Sequence, residues 1–200
     1  MKKKRHLTPD EIKKQLNMIA REKRMADRTP YSAMNILMPY TIMKCEGFKA
    51  QRIVRILNKV NDMQEKWENG EIDLEEVSQR LMDKAEWTIA SEHYQESDII
   101  AKKGTYQHLV DKLQIEPQNR INDFATRYML FFFTALMEEY RFGKERLTRV
   151  QEYLNNILLE YQEDKTSVDE WKKELFDKAG LVIEMPIDPL TQTHGSIMTG

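Results

Sequence analysis

The chain has 200 residues, of which 40% are hydrophobic and 32% charged, with a formal net charge of -2 and a pI near 6.1. That composition can bury a core while leaving a heavily ionic surface, and its balance excludes a uniformly basic nucleic-acid binder without excluding a local basic patch. Seven glycines and six prolines point to helices, and a single cysteine, Cys45, excludes an internal disulfide.

Charge is unevenly placed. Residues 1–28 carry ten Lys or Arg against four Asp or Glu, a local balance of +6 that leaves -8 for the remainder. The start Met1-Lys2-Lys3-Lys4-Arg5 reads as a basic arm with no apolar run behind it to make a signal peptide, so the reducing cytoplasm of a host cell is expected. Thr8-Pro9-Asp10-Glu11 then predicts a helix start: a threonine cap, proline at the first helical position and glutamate at the third satisfy amide donors that would otherwise be unpaired. Ile12, Leu16 and Ile19 follow at helical spacing, with Lys13, Lys14, Arg21, Lys23 and Arg24 on the same helix. The helix is expected to end before Thr29-Pro30. It is either a solvated amphipathic helix or a contact for nucleic acid or an acidic partner.

From Tyr31 the chain repeats. A shift of 94 residues aligns Tyr31 to Ile89 with Ala125 to Ile183 without a gap, and 11 of the 59 positions are identical. The identities include Met43 with Met137, Phe48 with Phe142, Arg52 with Arg146 and Arg55 with Arg149, and Asp83-Lys84-Ala85 recurs as Asp177-Lys178-Ala179. The apolar pattern decides the matter for duplication: Ile53, Ile56, Val60, Met63 and Trp67 answer to Leu147, Val150, Leu154, Ile157 and Tyr161, a helical stripe in both copies.

Each copy is expected to form three helices. Helix A is apolar, near Ser32–Cys45 and Asn122–Tyr140, with a kink or late start at Pro39. Its second copy holds Tyr128 to Met137, the most apolar run in the chain, which suits a helix buried on all sides and is too short to cross a bilayer. A turn at Gly47 or Gly143 leads into helix B, near Lys49–Glu68 and Lys144–Gln162. Helix C begins with a capping box in both copies, Asp73 with Glu76 and Ser167 with Glu170. The connector is expected to hold a helix over Ser91–Lys102, a break at Gly104 and a short helix around Gln107–Leu113 closed by Pro117. The tail from Met185 reads as irregular. The predicted fold is all-α: a bundle of seven to nine helices built from a pseudo-twofold tandem repeat of a three-helix unit. Its parts are a basic arm and helix (1–30), repeat 1 (31–89), a helical connector (90–121), repeat 2 (122–184) and the tail (185–200).

At the second A–B turn the sequence reads Arg141-Phe142-Gly143-Lys144-Glu145-Arg146-Leu147. It resembles small, uncharacterised helical proteins of phages and prophages of low-GC Gram-positive bacteria, which carry a Phe-Gly-x-Gly-Lys-x-Arg-Leu turn and a later Thr/Ser-x-Glu-Asp segment. The match runs through Phe142, Gly143, Lys144, Arg146 and Leu147, then Ser167 and Glu170, without the second glycine. The first copy keeps Phe48, Lys49, Arg52 and Ile53, with glycine displaced to Gly47. The resemblance covers about a third of the chain well and implies a phage origin, with no biochemical activity attached.

Arg52 with Arg55, and Arg146 with Arg149, sit three residues apart on the first turns of helix B, so each pair shares a face. Guanidinium groups beside free amides at a helix start can hold phosphate or carboxylate. The competing reading is an intrachain ion pair, to the equally repeated Asp83 and Asp177. Lys49, Lys59 and Lys144 extend the basic surface, and with the arm they make a discontinuous nucleic-acid footprint. The histidines are scattered, Cys45 has no nearby histidine and there is no Gly-rich phosphate loop, so no metal, cofactor or catalytic residue is assigned. The Phe131 to Phe133 run is expected to fill a core rather than line a cavity.

The expected function is non-enzymatic: a phage-encoded regulatory or anti-defence protein acting on nucleic acid or a nucleoprotein complex through Lys13, Lys14, Arg21, Lys23, Arg24, Lys49, Arg52, Arg55, Lys144, Arg146 and Arg149. The alternative is an inhibitor or adaptor that occupies a basic site on a host protein through acidic stretches such as Glu68 to Glu76 and Glu160 to Glu170. No membrane association is expected, and the oligomeric state is left open.

Overall fold

A computed structural model describes residues 29–89, 94–103, 106–183 and 197–199. The expected amino-terminal arm and helix, with Lys13, Lys14, Arg21, Lys23 and Arg24, lie outside the described residues. The described chain is mostly helical: α1 (Thr29–Glu46), α2 (Ala50–Glu68), α3 (Leu74–Ala85), a 3-10 turn (Glu96–Asp98), α4 (Tyr106–Tyr140), α5 (Lys144–Gln162) and α6 (Val168–Glu174), which runs on into a π turn (Leu175–Ala179). Two short strands, β1 (Leu181–Ile183) and β2 (Ile197–Thr199), pair antiparallel with Leu181 opposite Thr199.

The apolar pattern explains which helices lie inside. In α1 every residue from Ile36 to Met43 is buried, and in α4 every residue from Leu130 to Met137. These helices are therefore apolar all round and form the centre. Phe131, Phe132 and Phe133 are all at 0% exposure, so the aromatic run fills the core; full burial of one such ring contributes about 1.5–3 kcal/mol. The amphipathic helices cover this centre. α2 buries Ile53, Ile56, Leu57, Val60 and Met63, and α5 buries Leu147, Val150, Leu154 and Ile157.

The packing is reciprocal. α2 and α3 pack on α4, α5 and α6 pack on α1, and α1 meets α4 directly. Elements also recur at a spacing of 94 residues. α2 and α5 begin at residues 50 and 144, and α3 and α6 at 74 and 168. Left-handed backbone occurs at six described positions that fall into three pairs at the same spacing: Gly47 (φ 65) with Arg141 (φ 55), Gly70 (φ 73) with Asp164 (φ 55), and Glu86 (φ 50) with Gly180 (φ 67). The amide of Gly47 bonds the Met43 carbonyl as that of Arg141 bonds Met137, each at 2.9 Å. The chain reverses in the same manner at each of these turns, although only one member of each pair is glycine.

Several expectations need correction. α1 starts at Thr29, ahead of Ser32, and continues through Pro39, which is buried among the core side chains; burial outweighs the one helical hydrogen bond that proline removes. Pro117 does not close a short helix. It lies inside the 35-residue α4, which joins the expected Gln107–Leu113 and Asn122–Tyr140 segments. Within residues 94–103 the expected connector helix is replaced by the turn Glu96–Asp98. The Tyr94 amide and carbonyl bond the Asn119 side chain at 2.7 and 2.9 Å, so a side chain of α4 supplies the partners that a helix would have given. In the tail, Ile197–Thr199 is a strand. The capping box is complete at Ser167 and Glu170, whereas Asp73 accepts the Glu75 amide at 2.8 Å instead of forming a box with Glu76.

Candidate functional site

The carboxyl ends of α1 and α4 lie side by side, because the turns that follow them meet through Phe48 and Phe142, edge to face at 6.0 Å. α2 and α5 start from these turns, and neither start has a side-chain cap. This end of the molecule gathers the cations expected from the sequence: Lys49, Arg52 and Arg55 from one turn, Lys144, Arg146 and Arg149 from the other.

Most are engaged within the chain. Arg146 and Arg149 each donate from Nη2 to one oxygen of Glu46, both at 2.5 Å. The Glu46 side chain is only 9% exposed. Burial pushes its carboxyl up, but the bonds from Arg149 and Arg146 outweigh that and hold it below the usual carboxylate range. Arg146 also lies over the Phe142 ring at 3.5 Å, as Arg52 lies over Phe48 at 5.2 Å. The expected partners Asp83 and Asp177 are not used: the α1 end, reached from α5 by reciprocal packing, supplies the carboxylate.

The other half differs. Residue 140, the position equivalent to Glu46, is tyrosine, packed edge to face on Phe48 at 4.9 Å and donating its hydroxyl to the Arg52 carbonyl at 3.3 Å. Arg55 reaches Glu139 at 4.0 Å, and Lys144 reaches Glu86 at 3.5 Å. Lys49 donates to the Lys178 carbonyl. Among the described members of the expected footprint, Arg52 alone has no hydrogen bond or ion pair from its guanidinium. Cys45, half-buried beside Glu46 and Arg149, has its thiol pushed up by burial.

The acidic stretches lie elsewhere. α2 and α5 each carry the chain about 28 Å away from the turns where they start, ending near Trp67, whose ring stacks under Arg127 at 4.0 Å, and near Tyr161, 5.3 Å from Trp171. Beyond these rings run the segments from Glu68 to Glu76, with five carboxylates and no cation, and from Glu160 to Glu170, with five carboxylates and Lys165. Most of these acids are exposed. The chain thus separates its charges, with paired cations at one end and dense carboxylates at the far ends of α2 and α5.

Ion pairs also join each outer helix to the opposite central one. Lys44 of α1 meets Glu174 of α6 at 3.1 Å, and Glu138 of α4 meets Arg80 of α3 at 3.4 Å and Lys59 of α2 at 3.0 Å. Tyr40 donates its hydroxyl to Glu174 at 3.3 Å; burial first, then the Glu174 charge, push the phenol up to about 12.

No group of three or more His, Cys, Asp or Glu among the described residues is placed to hold a metal ion. Nor is any described helix long and apolar enough to cross a membrane. No family model, curated protein or solved structure matches the chain. Glu46 is the residue that sequence reasoning missed. It stands against Tyr140 in the repeat, so the identities that exposed the arginine pairs gave no sign of their shared partner.

Proposed function

We propose that the chain is a tandem duplication of a three-helix unit whose copies, residues 31–89 and 122–184, exchange partners about a pseudo-twofold axis. We infer that it acts without catalysis in the cytoplasm of a phage host, as an inhibitor or adaptor whose acidic turns occupy a basic site on a host protein. The matching element starts and the three pairs of left-handed residues support the duplication. The phage and anti-defence setting rests on the resemblance of the Phe142-Gly143-Lys144 turn.

One observation carries the choice of partner: Arg146 and Arg149 are both held by Glu46, while the carboxylates of the two acidic turns face solvent. Phosphate binding at Arg146 and Arg149 would have to displace Glu46 from two charge-assisted bonds. At the acidic turns the intrachain cations are Lys165 on Glu163 and Lys172 on Asp169, single pairs at exposed carboxylates that a basic partner displaces at little cost.

The test is anisotropy of a labelled polylysine peptide titrated with the intact chain at low and raised salt. Replacing the carboxylates of both acidic turns by amides abolishes binding, and replacing ten acids elsewhere on the surface leaves much of it. Equal losses in the two variants defeat the reading.

Nucleic acid is the second reading, favoured by the +6 balance of residues 1–28. Under it the contact is made by Lys13, Lys14, Arg21, Lys23 and Arg24, with Arg52 the cation of the described footprint that no carboxylate or carbonyl holds. It predicts steeply salt-dependent affinity that is lost when Lys13, Lys14, Arg21 and Arg24 are replaced together.

A further inference from the structure

The ion pairs between central and outer helices occupy equivalent positions in the two halves with their signs exchanged. Lys44 and Glu138 are 94 residues apart on the central helices, and Arg80 and Glu174 are 94 residues apart on the outer ones. One half-molecule contact is therefore cation on the centre and anion outside, Lys44 with Glu174; the other is anion on the centre and cation outside, Glu138 with Arg80. Lys59 strengthens the second.

We propose that this exchange of sign is what makes each copy pair with the other copy rather than with its own kind from a second chain. The proposal rests on the duplication reading. A three-helix unit that packs on a partner's central helix can in principle take any copy, and the apolar faces of the two copies are similar. Charge separates the alternatives. If copy 1 met copy 1, Lys44 would face Arg80 and Lys59, cation against cations, twice in a symmetric pair. If copy 2 met copy 2, Glu138 would face Glu174, anion against anion, also twice. At these positions only copy 1 with copy 2 satisfies every contact. The side chains are 24–43% exposed, so each change from repulsion to attraction shifts the pairing equilibrium by about tenfold, and the two contacts of a symmetric pair by about a hundredfold. The occupant excluded is a second copy of this chain, joined through like copies into dimers and longer assemblies.

The experiment uses the full chain with two sets of substitutions, each preserving the pairs within a chain. The first is Lys44→Glu, Glu174→Lys and Lys178→Glu, the last keeping the ion pair between residues 174 and 178 that the native chain has, while the Tyr40 bond to Glu174 is lost. The second is Lys59→Glu, Arg80→Glu and Glu138→Lys. Either set makes like copies complementary. After refolding across a dilution series, light scattering then finds each variant associating at about hundredfold lower concentration than the native chain. Combining both sets restores opposite signs between the halves, with polarity reversed, and returns the native behaviour. Circular dichroism verifies that each variant is helical, and if one set fails to fold the other still decides. Native-like association of the single sets, or association of the combined set equal to theirs, overturns the proposal. The underlying reading is tested separately in a Cys45→Ser chain with cysteine pairs at 44 and 174 or at 80 and 138. Intrachain crosslinking of both pairs by a short bis-maleimide upholds reciprocal packing even if the charge proposal fails, and its absence at both removes that packing itself.

Discussion

The left-handed residue after each central helix gives a prediction whose sign differs between the two halves. Gly47 has φ 65, and a β-carbon placed there meets nothing within 4 Å. Gly47→Ala therefore adds backbone strain and no clash. Left-handed backbone costs an L-residue about 1–2 kcal/mol, offset in part by the lower freedom of the unfolded chain, so a net loss of about 1 kcal/mol is expected. Arg141 has φ 55 and already carries that strain. Its side chain is exposed, and its amide bond to Met137 at 2.9 Å needs no side chain. Arg141→Gly removes the strain and increases unfolded-chain freedom, for a net gain of about 0.5 kcal/mol. In a chain of this length 1 kcal/mol moves the midpoint by about 2–4 °C. Calorimetry of the two variants should show Gly47→Ala lower by about 3 °C and Arg141→Gly higher by about 1–2 °C. A fall for Arg141→Gly as large as that for Gly47→Ala would refute the reasoning, since it would mean the Arg141 side chain holds the turn.

Three further outcomes follow from buried polar groups. Glu46 ionises more readily folded than unfolded, so its stabilisation is present above its ordinary pKa near 4.5 and is lost as pH falls through the lower folded value; Glu46→Gln lowers the melting temperature at neutral pH and flattens the acid limb of a stability-against-pH curve. Tyr40 has the opposite dependence: the folded state resists its ionisation up to about 12, so stability falls as pH rises from about 10 towards 12, and Tyr40→Phe removes that part of the alkaline loss in a denaturant titration. Thr134 is fully buried and its hydroxyl has no partner among the described residues, whereas Thr41 donates to the Leu37 carbonyl at 2.7 Å. Thr134→Val therefore raises stability by about 1 kcal/mol by chemical denaturation and Thr41→Val does not.

Local signals made the helices legible. The stripes Ile53 to Met63 and Leu147 to Ile157 carry their own periodicity, and the serine cap at Ser167 has its glutamate three residues on. Breaks were harder, because a proline is read as a stop by local rules, while Pro39 and Pro117 lie within helices that tertiary packing and length sustain. The strand at Ile197–Thr199 has no alternation long enough to register, and it exists through its partner Leu181–Ile183. The arginine pairs were visible because they repeat. Their partner was not, because the packing of α5 on α1 brings Glu46 to residues 100 and 103 positions away, and no local spacing rule reaches that far. The charge exchange between Lys44 and Glu138 was present in the alignment as a mismatch, and it acquires meaning only when Glu174 and Arg80 are seen to face them.

Arg146 and Arg149 are proposed to serve the fold by holding Glu46, with none of the repeated arginines a contact for nucleic acid. The direct measurement is anisotropy of labelled double-stranded DNA, single-stranded DNA and RNA, at about 50 and 200 mM salt, titrated with the native chain, an Arg52→Gln/Arg55→Gln variant and an Arg146→Gln/Arg149→Gln variant. The expected result is that whatever affinity the native chain shows is unchanged in both variants, while the Arg146→Gln/Arg149→Gln chain melts at a lower temperature. Loss of nucleic-acid binding in a variant that melts like the native chain would contradict it.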